Sequence, residues 1–195
     1  EEKGAENINL VNPTHYLSEL EEAFSVYKPD IPIVYNTHGY ETVESLKRAD
    51  KFTDIFLPDL KFIDPLLSKR YTGKDNYALF ALPAVEYMAN KPLKMREDGK
   101  MLSGCIVRHL ILPLGAYDSV NIVRFVSRLP DSVYFSLMSQ YTPFGEIENF
   151  KELQRRITRR EYNTVLQAVK SVNLKNVFLQ DFDSADTLYI PQWDY

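Results

Sequence analysis

Apolar positions along the chain switch repeatedly between short continuous runs and helical spacing. Asn7-Ile8-Asn9-Leu10-Val11 is a short β-type run, stopped by Asn12-Pro13. Leu17, Leu20, Phe24 and Tyr27 then recur at three- and four-residue intervals, which predicts a helix from Tyr16 to Lys28. An extended run from Ile31 to Asn36 ends at Thr37-His38-Gly39, and a short helix follows from Glu41 to Ala49. Asp54 to Lys61 predicts a third strand. A polar region with Asp64-Pro65 and Thr72-Gly73 leads to a longer helix from Asn76 to Asn90. The stretch from Asn90 to Gly104, rich in charge and breakers, is expected to be a flexible loop. Beyond it come a strand from Cys105 to Pro113, a helix from Asp118 to Leu129 and an extended run from Val133 to Met138. Tyr162, Val165, Leu166 and Val169 mark an amphipathic helix from Glu161 to Val172. A last strand covers Val177 to Gln180, before an acidic-aromatic tail.

This alternation implies βαβ crossovers and a parallel sheet, with six strands expected. A closed eight-stranded barrel needs about 250 residues, so 195 is short for one. A doubly wound open sheet and a partial barrel both satisfy the pattern. Residues 1–180 read as one domain, with 181–195 as a tail.

Composition narrows the function classes. At 45% hydrophobic and 26% charged, the chain is too apolar for a disordered acidic segment, yet no run is long enough to span a membrane. The net charge of −4 argues against a broad grip on nucleic acid. Arg155 to Arg160 is the densest basic stretch and reads as a solvated face, with an anion-binding patch as the sharper alternative. No glycine-rich phosphate loop is present. A single cysteine excludes intrachain disulfides and fits a reducing compartment. With no secretory signal at the start, a cytoplasmic location is expected.

In parallel α/β folds, chemistry gathers at the C-terminal ends of strands. Those positions here carry Thr14 and His15, Asn36 and His38, Asp59 and Lys61, and Gln140. Arg108 lies inside the fourth expected strand, on one face with Ile106, Leu110 and Leu112. An arginine there must be paired or must line a wet cavity. Asp59 and Lys61, expected on one strand face, can pair with each other or with Arg108 as a purely structural network. His109, on the opposite face with Val107 and Ile111, reads as a core histidine. Cys105, at the expected start of that strand, reads as a buried, inert thiol.

At Asn7 to His15 the chain resembles the radical S-adenosylmethionine proteins related to the pyruvate formate-lyase activating enzyme. The resemblance continues in order through Ile33 to Thr37, Gly39-Tyr40-Glu41, Asp54 to Lys61, Gly104 with Ile106 to Pro113, Ser136 to Tyr141 and Glu161-Tyr162. It covers residues 4–180 and implies a partial β/α barrel. It also implies a [4Fe–4S] cluster held by three thiolates of a C-x-x-x-C-x-x-C loop, and S-adenosylmethionine on the open iron. The implied partners are a glycyl radical enzyme or another protein substrate, and a reductant such as flavodoxin or ferredoxin. Carried over position by position, Thr14, His15, Asn36, Asp59, Lys61, Arg108 and Gln140 are the implied cofactor contacts.

The cluster motif itself is absent. Aligned by blocks, Asn7 to Val11 corresponds to the family's second strand, so a shortened chain, inactive alone and prone to self-association, is expected. Two other readings stay open. One is an iron-independent barrel enzyme using Lys61 as a Schiff-base lysine, or His15, His38 and Asp59 as metal ligands. The other is a non-catalytic scaffold.

Overall fold

Alternation within the strands decides how the chain winds. In the computed structural model, which describes residues 4–182, seven strands form: β1 (Ile8–Val11), β2 (Ile33–Thr37), β3 (Ile55–Pro58), β4 (Lys94–Met95), β5 (Met101–Leu110), β6 (Tyr134–Met138) and β7 (Asn176–Leu179). Six of them run parallel in the order β1-β2-β3-β5-β6-β7, and β4 pairs antiparallel with the start of β5. Six helices connect them: α1 (Leu17–Val26), α2 (Val43–Ala49), α3 (Pro65–Thr72), α4 (Tyr77–Ala89), α5 (Ala116–Val126) and α6 (Arg159–Ser171).

One pleat face packs against the helices. Ile33 and Tyr35 of β2, Phe56 of β3, Cys105 and Val107 of β5, and Phe135 and Leu137 of β6 share one buried cluster with Leu46, Ala81, Val85, Ile122 and Val165 of the helices. Register aligns them in rows, Tyr35 beside Phe56 and Phe56 beside Cys105. Each large side chain so buried contributes roughly 1.5–3 kcal/mol. Of the alternate residues, Leu57, Ile106, Arg108, Leu110 and Ser136 are only partly buried, and Val34 and Ile55 are buried but lie outside that cluster.

A sheet wound in sequential strand order with its helices on one face is the architecture of a partial β/α barrel. A doubly wound sheet would bury both faces and reverse its strand order at a switch point. The sequence left both open; the one-sided core decides for the barrel.

Local chemistry explains where the expected elements differ from the observed ones. The polar region around Asp64-Pro65 and Thr72-Gly73 contains α3. The Asp64 side chain accepts from Leu66 N (2.7 Å), Pro65 fits the first turn, and Gly73 ends the helix at φ 74°. The expected flexible loop from Asn90 to Gly104 is a β4–β5 hairpin. Lys94 pairs with Ser103, and Arg96 and Lys100 bind Glu6 and Asp98. β5 therefore begins at Met101 rather than Cys105. β3 stops at Pro58, so Asp59 makes only a single bridge to Arg108 and Lys61 lies beyond the strand.

The basic run begins as a helix cap. Thr158 and Glu161 form a capping box at the start of α6, and Arg155 pairs with Glu161 at 2.8 Å, holding that carboxyl down at about 2. Of the expected tail, Asp181 and Phe182 are attached to the fold: Ser139 Oγ donates to the Asp181 carbonyl (3.0 Å), and the Phe182 ring lies 5.7 Å from that of Tyr162. Residues 183–195 lie outside the described residues. Among the described residues, no helix is long and apolar enough to cross a membrane.

His109 is a core histidine, 3% exposed. Its Nδ1–H donates to the Leu60 carbonyl (2.7 Å), so Nε2 of the neutral ring accepts from Ser119 Oγ (2.8 Å). Burial pushes its pKa down to about 4. The folded state thus favours the neutral ring, while the unfolded chain takes up a proton near 6.5. Stability should be complete above pH 6.5 and decline as pH falls towards 4. Urea denaturation should show about 2 kcal/mol less stability at pH 5 than at pH 7.5 from this group. The loss should shrink in His109→Gln; an unchanged pH dependence in that variant would assign it elsewhere.

Candidate functional site

The partly buried face carries a charged cluster at the C-terminal end of its middle strands. Arg108 projects from β5 and reaches across β3, donating through Nη2 to Asn36 Oδ1 of β2 at 2.6 Å. Its Nε lies 2.8 Å from Asp59 Oδ1, while Lys61 Nζ donates to Asp59 Oδ2 at 2.9 Å. The Arg108–Asp59 contact is an ion pair off the N–H axis. The buried Nε donor therefore has no hydrogen-bond acceptor among the described residues. Two cations and one carboxylate leave a positive surplus here, beside a recess of about 150 Å³. Leu110, Leu112, Phe62 and Met138 supply its apolar wall.

Four of the seven expected contacts, Asn36, Asp59, Lys61 and Arg108, are thus joined in one network. The other three are held elsewhere. Thr14 Oγ1 donates to Glu41 Oε1 (2.6 Å) and lies 2.9 Å from Tyr35 Oη, on the helix side of the sheet. His15 is exposed on a short 3₁₀ turn, Pro13–Tyr16. Gln140 accepts from Gln180 Nε2 (2.9 Å), which ties the end of β6 to the residue after β7.

Two of the alternative chemistries lack their geometry. No group of three His, Cys, Asp or Glu able to hold a metal ion occurs among the described residues, so His15, His38 and Asp59 do not form a ligand set. The Lys61 side chain is 43% exposed and ion-paired, without the dry surroundings a Schiff-base lysine needs. Cys105 is buried in the helix-side core, and burial pushes its thiol pKa up, as expected of an inert thiol.

Several residues that shape this end of the sheet carry weak sequence signals. Glu41 is 4% exposed and also takes the Thr37 hydroxyl at 2.6 Å. Burial pushes the Tyr35 phenol beside it up to about 12. Tyr77 of α4 accepts from Lys61 N (3.1 Å), and its hydroxyl lies 2.9 Å from both the His38 and Asp59 carbonyls. Local pattern does not carry these contacts, and Tyr77 is distant in sequence from everything it fastens.

Compared with known proteins, the chain has likenesses of fold and of sequence. It is similar to a domain of pyruvate-formate lyase-activating enzyme from Bacteroides vulgatus ATCC 8482, with a TM-score of 0.58 and 12% identity, covering 90% of this chain and 98% of that one. That likeness is one of fold. In sequence it is 25% identical over 178 residues to an uncharacterized protein, MJ0674, of Methanocaldococcus jannaschii, covering 89% of this chain and 49% of the relative. The chain spans about half the length of that relative. No protein-family model matches it.

Proposed function

We propose that this chain is the S-adenosylmethionine-binding barrel of a radical S-adenosylmethionine protein of the activating-enzyme type, with residues 1–180 as one unit. The observation that carries the reading is Arg108. It is a strand arginine on the partly buried face of a one-sided β/α sheet, its guanidinium oriented by Asn36 and Asp59 at the edge of the recess. Fold likeness to a domain of an activating enzyme supports it.

The residues fit a small zwitterionic cofactor with an apolar part. Arg108 would take the carboxylate of S-adenosylmethionine by charge-assisted hydrogen bonds, with Asn36 and Asp59 fixing the plane of its guanidinium. Lys61 balances Asp59, and Leu110, Leu112 and Met138 offer apolar surface to the nucleoside. His15 and Gln140 would flank the ligand at the neighbouring strand ends, and Thr14 would act only through the Glu41 network behind the sheet. With the cluster, the bound cofactor supplies the chemistry of hydrogen-atom removal, in this reading from a glycine of a partner enzyme, with electrons from flavodoxin or ferredoxin.

The iron–sulfur cluster does not fit this chain by itself. Three thiolates are needed and one cysteine is present, buried away from the partly buried face. In this reading the cluster ligands lie outside these 195 residues.

Calorimetric titration of the natural full-length protein with S-adenosylmethionine tests the assignment. Saturable binding should weaken about 30-fold in Arg108→Met, the equivalent of roughly 2 kcal/mol for one charge-assisted pair. Absence of binding in the unaltered protein would end the reading.

A further inference from the structure

Two recesses adjoin at Lys61. One is the recess of the Arg108 cluster. The other, of about 220 Å³, is walled by His38, Tyr40, Lys61, Thr72, Lys74 and Tyr77 and is almost wholly apolar. We propose that this chain's own residues 183–195 cross this end of the sheet, with Leu188, Tyr189 and Ile190 filling the apolar recess. Asp183 and Asp186 then lie against the cations of the Arg108 cluster. The inference stands apart from the S-adenosylmethionine assignment.

The apolar recess is built for carbon. Tyr40 and Tyr77 lie nearly parallel, 15° apart with centroids at 6.1 Å, and Phe80 packs on Tyr40 at 4.9 Å. Tyr40 Oη donates to Asn76 Oδ1 (3.1 Å) and Tyr77 Oη is taken up by backbone groups, so the polar ends of both rings are occupied. Lys61 and Lys74 line the recess with their methylene stems. A small ligand is oriented in its site by a few convergent polar groups. This recess offers almost none, so its occupant is an apolar group carried on a chain that is anchored elsewhere.

Such a chain departs at Phe182. Ser139 Oγ donates to the Asp181 carbonyl (3.0 Å), the Phe182 ring lies 5.7 Å from that of Tyr162, and the Arg159 guanidinium sits 4.7 Å over it. Ser139 follows Met138, which lines the charged recess, so the tail is anchored next to that recess. Four strand spacings from β7 to β2 amount to about 19 Å, and the six residues from Phe182 to Leu188 reach about 20 Å when extended.

Charge runs in the matching order. Residues 183–195 carry Asp183, Asp186 and Asp194 and neither Lys nor Arg. The first two acids precede the apolar run Leu188-Tyr189-Ile190. Across the sheet from β7, Arg108 and Lys61, which share the single carboxylate of Asp59, come before the apolar recess beyond Lys61. Burial of Leu188 and Ile190 supplies the attraction, and the opposite charges set the register.

Trp193 is the only tryptophan of the sequence and lies three residues beyond Ile190, so its fluorescence reports the seating in the whole chain. The expected emission is blue-shifted, with an acrylamide quenching constant about twofold below that of the free peptide 183–195. Leu188→Ser combined with Ile190→Ser should raise that constant to the peptide's value and shift the NMR resonances of Tyr40 and Tyr77. Lys61→Glu should also release Trp193, whereas Lys69→Glu, an equal change on α3 outside both recesses, should not. Peptide-like quenching in the unaltered chain, or unmoved Tyr40 and Tyr77 resonances in the double variant, would overturn the proposal. Release of Trp193 on dilution would overturn it too, by assigning the recess to the tail of a second copy, as would equal effects of the two lysine changes.

Discussion

Gly39→Ala should be the most damaging small substitution at the strand ends, lowering stability by about 4 kcal/mol or preventing folding. Gly39 sits at φ 81°, a conformation that L side chains adopt at a cost of roughly 1–2 kcal/mol. A Cβ there would fall 2.2 Å from the Asp59 carbonyl oxygen and 2.9 Å from Tyr77 Oη. Neither neighbour can yield easily. The Asp59 N–H is bound to the Thr37 carbonyl at 2.8 Å, and Tyr77 Oη lies against the same Asp59 carbonyl. The close approach is what seats the His38–Tyr40 corner against Asp59 and Lys61. Guanidinium denaturation with circular dichroism measures the loss; an Ala variant within about 1 kcal/mol of the parent would show that this corner is loose.

Asp118→Ala should cost about 4 kcal/mol, although the residue is far from the cluster in sequence. Asp118 is 5% exposed on α5, and its carboxylate accepts from Ile63 N (3.1 and 3.2 Å) and Asp64 N (2.8 Å). It thereby turns the chain between Lys61 and the start of α3. Burial raises its pKa, yet the backbone donors oppose that shift by stabilising the charged form. Truncation would leave two backbone N–H groups with poor alternatives, each worth roughly 1–3 kcal/mol. Asp118→Asn keeps one acceptor oxygen and should lose about half as much, measured by the same denaturation series. Equal losses in the two variants would mean that the carboxylate charge, rather than acceptance of the N–H groups, is what matters.

These two residues also mark how far the sequence could be read. Element type was legible wherever apolar spacing was regular, as in α1, α6 and β5. The charged face position of Arg108 was legible too, because period-2 alternation fixes a strand residue's face. α3 was hidden because its few apolar residues, Leu66, Leu67 and Tyr71, make a weak stripe, although Asp64-Pro65 and Gly73 spell a start and a stop. The β4–β5 hairpin was hidden by its charges, which pair with Glu6 from the far end of the chain. The choice between one-sided and two-sided winding is a property of how helices pack, and local pattern does not carry it. The same holds at the site. Asp59, Lys61 and Arg108 could be nominated together, but the fastening of that corner by Tyr77, Gly39 and Asp118 depends on contacts between distant segments. Thr14 was nominated by its strand-end position and by the family resemblance, while its hydrogen bond to Glu41 depends on a contact the local pattern does not carry.

The claim at the centre of this account is that Arg108 holds the carboxylate of S-adenosylmethionine. A double-mutant cycle addresses it: the natural full-length protein and its Arg108→Met variant, each titrated with S-adenosylmethionine and with its decarboxylated analogue. In the unaltered protein, loss of the ligand carboxylate should weaken binding about 30-fold, while in Arg108→Met it should change affinity less than about threefold. That difference corresponds to a coupling of roughly 1.4 kcal/mol or more. Equal losses with and without the arginine, or binding of neither ligand by the unaltered protein, would contradict it.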